Sequence, residues 1–236
     1  MSEELIRQNE GFVRETLTPY FNEVQLARKG KKDCDTPEQL GRMLAKAHFK
    51  DSLREGTRII FTDVPHLHNF SEFEKDWATF VQSVQDRFEQ FSDEESPLDV
   101  DGAETMQEAL GISAKLMGVF YTLGVKAYES KDYSKALGVM GLLSLLNPFL
   151  FEPWLVQGMI HTRNRSEPQA IFTLTMAAII DYNHPGPHLC FAQIYSELGS
   201  KMEAKSSLEV AQFYLPECAD PQWAVLEKKI AERLRG

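Results

Sequence analysis

Three blocks of 34 residues follow one another without a gap, at 117–150, 151–184 and 185–218, and they share residues in phase. Gly124, Gly158 and Ala192 hold the eighth position, and Ala136, Ala170 and Ala204 the twentieth. Leu143, Ala177 and Ala211 hold the twenty-seventh, and Pro148, Tyr182 and Pro216 the thirty-second. A fixed period of this length constrains the fold more than any composition does, because each unit must bury its apolar face against the next. Small residues at positions eight and twenty let two antiparallel helices approach closely, where a larger side chain would hold them apart. Large residues such as Trp154, Tyr195, Leu198 and Leu208 fill the space around that contact. Proline near position thirty-two ends the second helix and opens the link to the next block. Gly199 supplies the turn between the two helices of the third block. The second block is the least regular, with Gln157, His161 and Tyr182 at positions where the pattern expects other residues.

A helix–turn–helix of 34 residues is the tetratricopeptide signature. The phase predicts helices near 117–130, 133–146, 151–163, 167–180, 187–198, 201–214 and 221–234, with no strand after residue 117. An open stack exposes an apolar end, and residues 221–235 (PQWAVLEKKIAERLR) read as the helix that closes it. Pro221 stands at its start; Trp223, Leu226, Ile230 and Leu234 share one face; Lys228, Lys229, Arg233 and Arg235 lie toward its C-terminal end. The predicted class is therefore all-α: a tetratricopeptide helical-hairpin array of three repeats plus a C-terminal capping helix, preceded by a mostly helical N-terminal module.

That module is placed at 1–91. Residues 3–29 carry Ile6, Val13, Leu17, Tyr20 and Val24 at helical spacing, interrupted by Pro19. Thr36-Pro37-Glu38 reads as a helix start, with Leu40, Met43, Leu44, Ala47 and Leu53 behind it and Gly56 as its stop. Arg58-Ile59-Ile60-Phe61-Thr62 reads as a short strand or an extended loop. Ser71 to Glu74 reads as a capping box, opening an amphipathic helix with Phe73, Trp77, Phe80, Val81, Val84, Phe88 and Phe91 on one face. The stretch SDEESPLDVDG (92–102) reads as an acidic linker, and the tetratricopeptide domain is placed at 103–236. Charge supports that division: residues 1–110 hold 13 Lys+Arg against 23 Asp+Glu, whereas residues 111–236 hold 12 of each. A fragment beginning near Gly102 is therefore expected to fold alone.

Most chemistries are missing. The net charge of −10 opposes a nucleic-acid partner, which needs a basic field. Cys34, Cys190 and Cys218 form no C-x-x-C pair, so neither zinc knuckle nor disulfide framework is indicated, and a reducing cytoplasm suits them. Cys190 reads as a small buried hydrophobe. The start, MSEELIRQNE, carries no secretory signal. Leu137 to Ile160 is long and apolar enough to span a bilayer, with Glu152 as its single formal charge. Asn147-Pro148 and Glu152-Pro153 interrupt it, however, and it falls within the repeat phase, so it reads as a buried helix–turn–helix. His66 and His68, with His48 upstream, lack a carboxylate or cysteine at ligand spacing and read as surface or packing residues. No phosphate-binding loop, dinucleotide fingerprint, zinc-protease motif or nucleophile elbow occurs. No enzyme, no metal and no cofactor is expected.

A tetratricopeptide array offers instead a concave groove, lined by positions two, five, nine, twelve and thirteen of each repeat. Here positions five, nine and twelve give Tyr121, Val125 and Tyr128, then Leu155, Met159 and Thr162, then Leu189, Gln193 and Ser196. This lining has little charge and suits an extended apolar segment of another protein, with rings as anchors and methionine as an adaptable filler.

Over about 111–220 the chain resembles the class II chaperones of type III secretion, which protect translocator proteins. The likeness is carried by YESKDYSKALGVM, NPFLFEPWLVQGM, AAIIDYNHPGPHLCFAQIYSELG and AKSSLEVAQFYL, of which the AAIIDYNHP link and the LEVAQ run are the more specific. The resemblance implies a bacterial, cytoplasmic protein that holds a hydrophobic segment of a secreted translocator or effector on Tyr121, Val125, Tyr128, Leu155 and Met159. It also allows a homodimer and a second partner in the secretion apparatus. A general tetratricopeptide scaffold in another assembly is the alternative. The carboxylate-clamp subtype is disfavoured, since it needs Lys and Asn where Tyr121 and Val125 stand. The long N-terminal extension departs from the chaperone pattern.

Overall fold

The computed structural model of the chain describes residues 54–92 and 105–235. The helices expected over 3–29 and 36–53, with Cys34 and His48, lie outside the described residues, as do residues 93–102 of the expected linker and the side chains of Phe88 and Phe91. Among the described residues there is no strand. The chain divides into two compact units, Met1–Pro148 and Phe149–Gly236. The division falls between the first and second repeats.

In the first unit, helix α1 (residues 54–63) and two 3-10 turns, Val64–His66 and Phe70–Glu72, lead into α2 (Glu74–Ser92). A short α3 (Met106–Ala109) precedes the first repeat, α4 (Ala114–Glu129) and α5 (Tyr133–Leu146). Ser113 caps α4 by accepting from Leu116 N–H at 3.1 Å, and Asp132 caps α5 by accepting from Lys135 N–H at 3.1 Å. The segment Arg58–Thr62, expected to be extended, is helical, and Gly56 lies within that helix rather than ending it. The reason is tertiary. A Cβ on Gly56 would lie 2.3 Å from the Gly138 carbonyl oxygen of α5, so Gly56 is where two helix backbones touch. Ile59 lies against Gly138, Phe61 packs on Trp77 and Phe80, and Ile60 is buried too; burial of three large side chains outweighs their weak preference for strand. The expected capping box is also absent, because Ser71 is inside a 3-10 turn and α2 is capped by Phe73, whose side chain cannot accept.

The core of this unit is aromatic. Phe61, Phe70, Phe73, Trp77 and Phe80 pack with centroid distances of 5.2–6.4 Å, and Phe120 of α4 completes the cluster at 6.4 Å from Trp77 and 5.9 Å from Phe80. Phe120 and Leu116 are fully buried. The first repeat thus shares its core with residues 54–84. Lys135 pairs with Asp63, and Lys115 donates to the Glu72 carbonyl, on the rim of that contact. Helix α5 is buried nearly all round, from Ala136 to Leu146, which is why its sequence reads as apolar as a membrane segment. Among the described residues no helix is long and apolar enough to cross a membrane.

The second unit holds α6 (Phe151–Arg163), α7 (Glu167–Ile180), α8 (Pro185–Glu197), α9 (Lys201–Tyr214), a 3-10 turn (Leu215–Glu217) and α10 (Pro221–Arg235). Helix pairs α6/α7 and α8/α9 are antiparallel hairpins, α8 also meets α6 and α7, and α10 packs on α8 and α9 as a closing helix. Trp223, Ile230 and Ala231 face inward from α10.

Position eight works alike in both units. A Cβ on Gly124 would meet Met140 at 2.8 Å, and one on Gly158 would meet Leu174 at 2.4 Å. Met140 and Leu174 both occupy position twenty-four, so the eighth and twenty-fourth positions form the closest approach of the two helices. Ala192 and Leu208 occupy the same positions in the third repeat, and both are buried. Position fifteen, in the turn, is left-handed in all three repeats: Lys131 at φ 65°, Arg165 at φ 55° and Gly199 at φ 78°. Only the third has the residue that this conformation favours.

Candidate functional site

The expected groove residues lie on the first helix of each repeat, and the two units are described in turn. On α4, in the first unit, Tyr121, Val125 and Tyr128 recur at spacings of four and three, so they form one stripe along the helix. All three are half-buried. Tyr128 lies 5.9 Å from the Tyr133 ring at the start of α5, which fixes the lower end of the stripe. Gly118 continues the stripe by one turn; it is exposed, and the space where its Cβ would stand is open. It holds position two of the repeat, a position read from sequence only as a place and not as a residue. The stripe is therefore ring, branched aliphatic, ring and a bare backbone turn, with Lys126 pointing elsewhere as an exposed residue.

In the second unit the expected residues divide. Met159 on α6 and Gln193 on α8 are half-buried, and Gln193 donates to Glu197 Oε1 at 3.1 Å. Ser196 is half-buried as well. Leu155, Thr162 and Leu189 are buried, Leu189 completely, and this corrects their placement on an open lining. Helix α8 meets four other helices, so its fifth position falls inside the packing rather than at its edge. Thr162 Oγ donates to the Gly158 carbonyl at 2.8 Å, the usual way a threonine hydroxyl is satisfied within a helix. His161, beside Met159 and Thr162, is pushed down to about 4 by burial, so its ring is neutral at pH 7. Met159, His161 and Gln193 carry no formal charge themselves, while Glu197 beside Gln193 pairs with Arg233 at 3.3 Å.

Among the described residues no three His, Cys, Asp or Glu side chains converge to hold a metal ion. His66 and His68 are exposed, on the surface turn that links α1 to α2. Cys190 is buried in α8, and burial pushes its thiol up to about 12, the opposite of what a nucleophile requires.

No family model and no curated protein matches the chain. Solved structures do. The translocator chaperone SycD of Yersinia enterocolitica aligns at 23% identity over 57% of this chain and 98% of its own, with a TM-score of 0.50. A type III secretion complex from Aeromonas hydrophila contains a chain that aligns at 23% identity over 57% of this chain and 88% of its own, also at 0.50. A chain of the CopN–Scc3 complex covers 61% of this chain and 84% of its own at 25% identity, with a TM-score of 0.48. Over that 57% the chain shares the all-helical fold of SycD.

Proposed function

We propose that this protein is a non-enzymatic chaperone or adaptor that holds an extended hydrophobic segment of a type III secretion substrate. The observation that carries the reading is the apolar stripe of Tyr121, Val125 and Tyr128 on a repeat helix, in a chain with the fold of SycD, itself a translocator chaperone. The mechanism is burial. A client side chain leaves water on meeting these rings, at about 25 cal/mol per Å² of apolar surface before the cost of ordering both partners. Gly118 lets a client backbone approach α4 more closely than any side chain at that position would. In the second unit, half-buried Met159 offers an uncharged side chain of the same kind. Secreted translocators or effectors are the proposed clients, a secretion-apparatus component is a proposed second partner, and the proposed setting is the bacterial cytoplasm.

The test pairs affinity with stability. Tyr128→Glu and Met159→Glu each place a charge where the client's apolar side chains sit, and each is expected to weaken binding about tenfold or more. The probe is a synthetic hydrophobic peptide punctuated by proline, followed by fluorescence anisotropy on the full chain. Both sites are half-exposed, so the melting temperatures should move by no more than a few degrees, as a change of roughly 1 kcal/mol implies. Undiminished affinity in both variants would remove these faces from the mechanism. Because the contacts are apolar, affinity should also vary little between low and high salt.

A further inference from the structure

The outward helices of the second unit present large apolar side chains where a surface helix ordinarily carries charge. Ile179 near the end of α7 is 71% exposed, Tyr182 just beyond it 55%, and Phe213 near the end of α9 75%. The two aromatic residues belong to one cluster. Tyr182 and Phe213 each meet the Tyr214 ring edge-on, at 5.9 Å and 5.0 Å between centroids. Tyr182 is held from below by buried His188, whose ring lies 4.9 Å away and whose Nε2 is 2.8 Å from the Tyr182 carbonyl oxygen. These rings are thus braced from inside the fold and open on the outside.

The electrostatic setting selects what they can receive. The stretches 167–184 and 206–220, which build the surface, contain no Lys or Arg, whereas Asp181, Glu209 and Glu217 are exposed among them. The C-terminal ends of α7 and α9 point to the same place and add the partial negative charge of their last carbonyls. Helix α10 carries exposed Lys228 and Lys229, and its Glu227 accepts from Gln212 Nε2 of α9 at 2.5 Å.

We infer that this aromatic, electronegative face docks a partner protein through a segment that alternates Arg or Lys with aliphatic residues. A guanidinium or ammonium over the face of Tyr182 or Phe213 gains the ring quadrupole and the nearby carboxylates together. The intervening aliphatic side chains cover Ile179 and the remainder of Phe213. The inference uses α7 and α9, not the helices proposed to hold the client, so it stands or falls separately from that reading.

The test uses the full chain and a ten-residue synthetic peptide alternating Arg and Leu, with one control that replaces Arg by Glu and one that replaces Leu by Ser. Binding is read by fluorescence anisotropy at low and high salt. The Arg–Leu peptide should bind, weaken as salt rises, and exceed both controls by about tenfold. Phe213→Ser and the pair Glu209→Lys with Glu217→Lys should each reduce its affinity about fivefold or more. These positions are exposed, and the charge-reversal pair reports on the site even if Phe213→Ser affects folding. Equal affinity in these variants and the parent, equal binding of the Glu peptide, or no binding at all would overturn the inference. So would self-association by sedimentation that Phe213→Ser abolishes, which assigns the face to a second copy. Thiol labelling of Phe213→Cys completes the set: protection without peptide would show the face already covered by other residues of the chain.

Discussion

Two glycines on the first unit's helices mark opposite demands. At Gly56 a Cβ would sit 2.3 Å from a backbone oxygen of α5 and 2.5 Å from Leu142 Cβ, neither of which can swing aside. Gly56→Ala must therefore push α1 off α5, and it is expected to cost roughly 2–3 kcal/mol in denaturant unfolding, within the range of overpacked cores. Gly118 has nothing within 4 Å of the same point. Gly118→Ala fills open space and removes backbone freedom from the unfolded chain, so it should stabilise by about 0.5–1 kcal/mol. If the exposed turn admits a client backbone, the same substitution should nevertheless weaken peptide binding. A stabilised variant with parental affinity would show that Gly118 is only a tolerated residue.

At the scale of the helix pair, the turn residue at position fifteen is where sequence and structure part. Gly199 is readable as a left-handed turn because glycine is the residue that this backbone favours. Lys131 and Arg165 adopt the same conformation but give no such signal, since the geometry there is imposed by the hairpins on either side. Lys131→Gly and Arg165→Gly should each relieve about 0.5–1 kcal/mol of strain, read as a rise in melting temperature. No rise in either would mean that the lysine or arginine side chain contributes more than its backbone costs. The helices of the repeats were legible almost to the residue, because small side chains at positions eight and twenty repeat the same contact three times. Helix α1 was not. Its Ile59-Ile60-Phe61 run has strand-like composition, and the contact that makes it a helix is with Gly138, about eighty residues further on. The candidate site was half legible for a related reason. Position in the repeat predicts the direction of a side chain from its helix, and Tyr121, Val125, Tyr128 and Met159 keep part of their surface exposed. It does not predict what packs over that side chain, and Leu189 is covered completely.

For the molecule as a whole, the boundary between units lies inside the repeat array. Phe120 belongs to the first repeat by phase and to the aromatic cluster of Phe61, Trp77 and Phe80 by packing. A fragment starting near Gly102 would retain Phe120 and Leu116 without the side chains that bury them. Its residues 105–148 should exchange amide hydrogens freely, whereas residues 149–236 should stay protected in that fragment and melt cooperatively on their own. Uniform protection across 105–235 would favour the boundary read from charge. The contact between Gly56 and Gly138 also has a consequence for synthesis. On the ribosome, α1 emerges some eighty residues before Gly138 of α5, and Trp77 and Phe80 emerge some forty residues before Phe120 of α4, the latter a delay of roughly 2–8 s at about 5–20 residues per second. Through that interval Ile60, Phe61, Trp77 and Phe80 have no α4 or α5 to pack against, so this protein passes through a stage in which its own nascent chain presents the kind of exposed apolar segment that it is proposed to shelter in others.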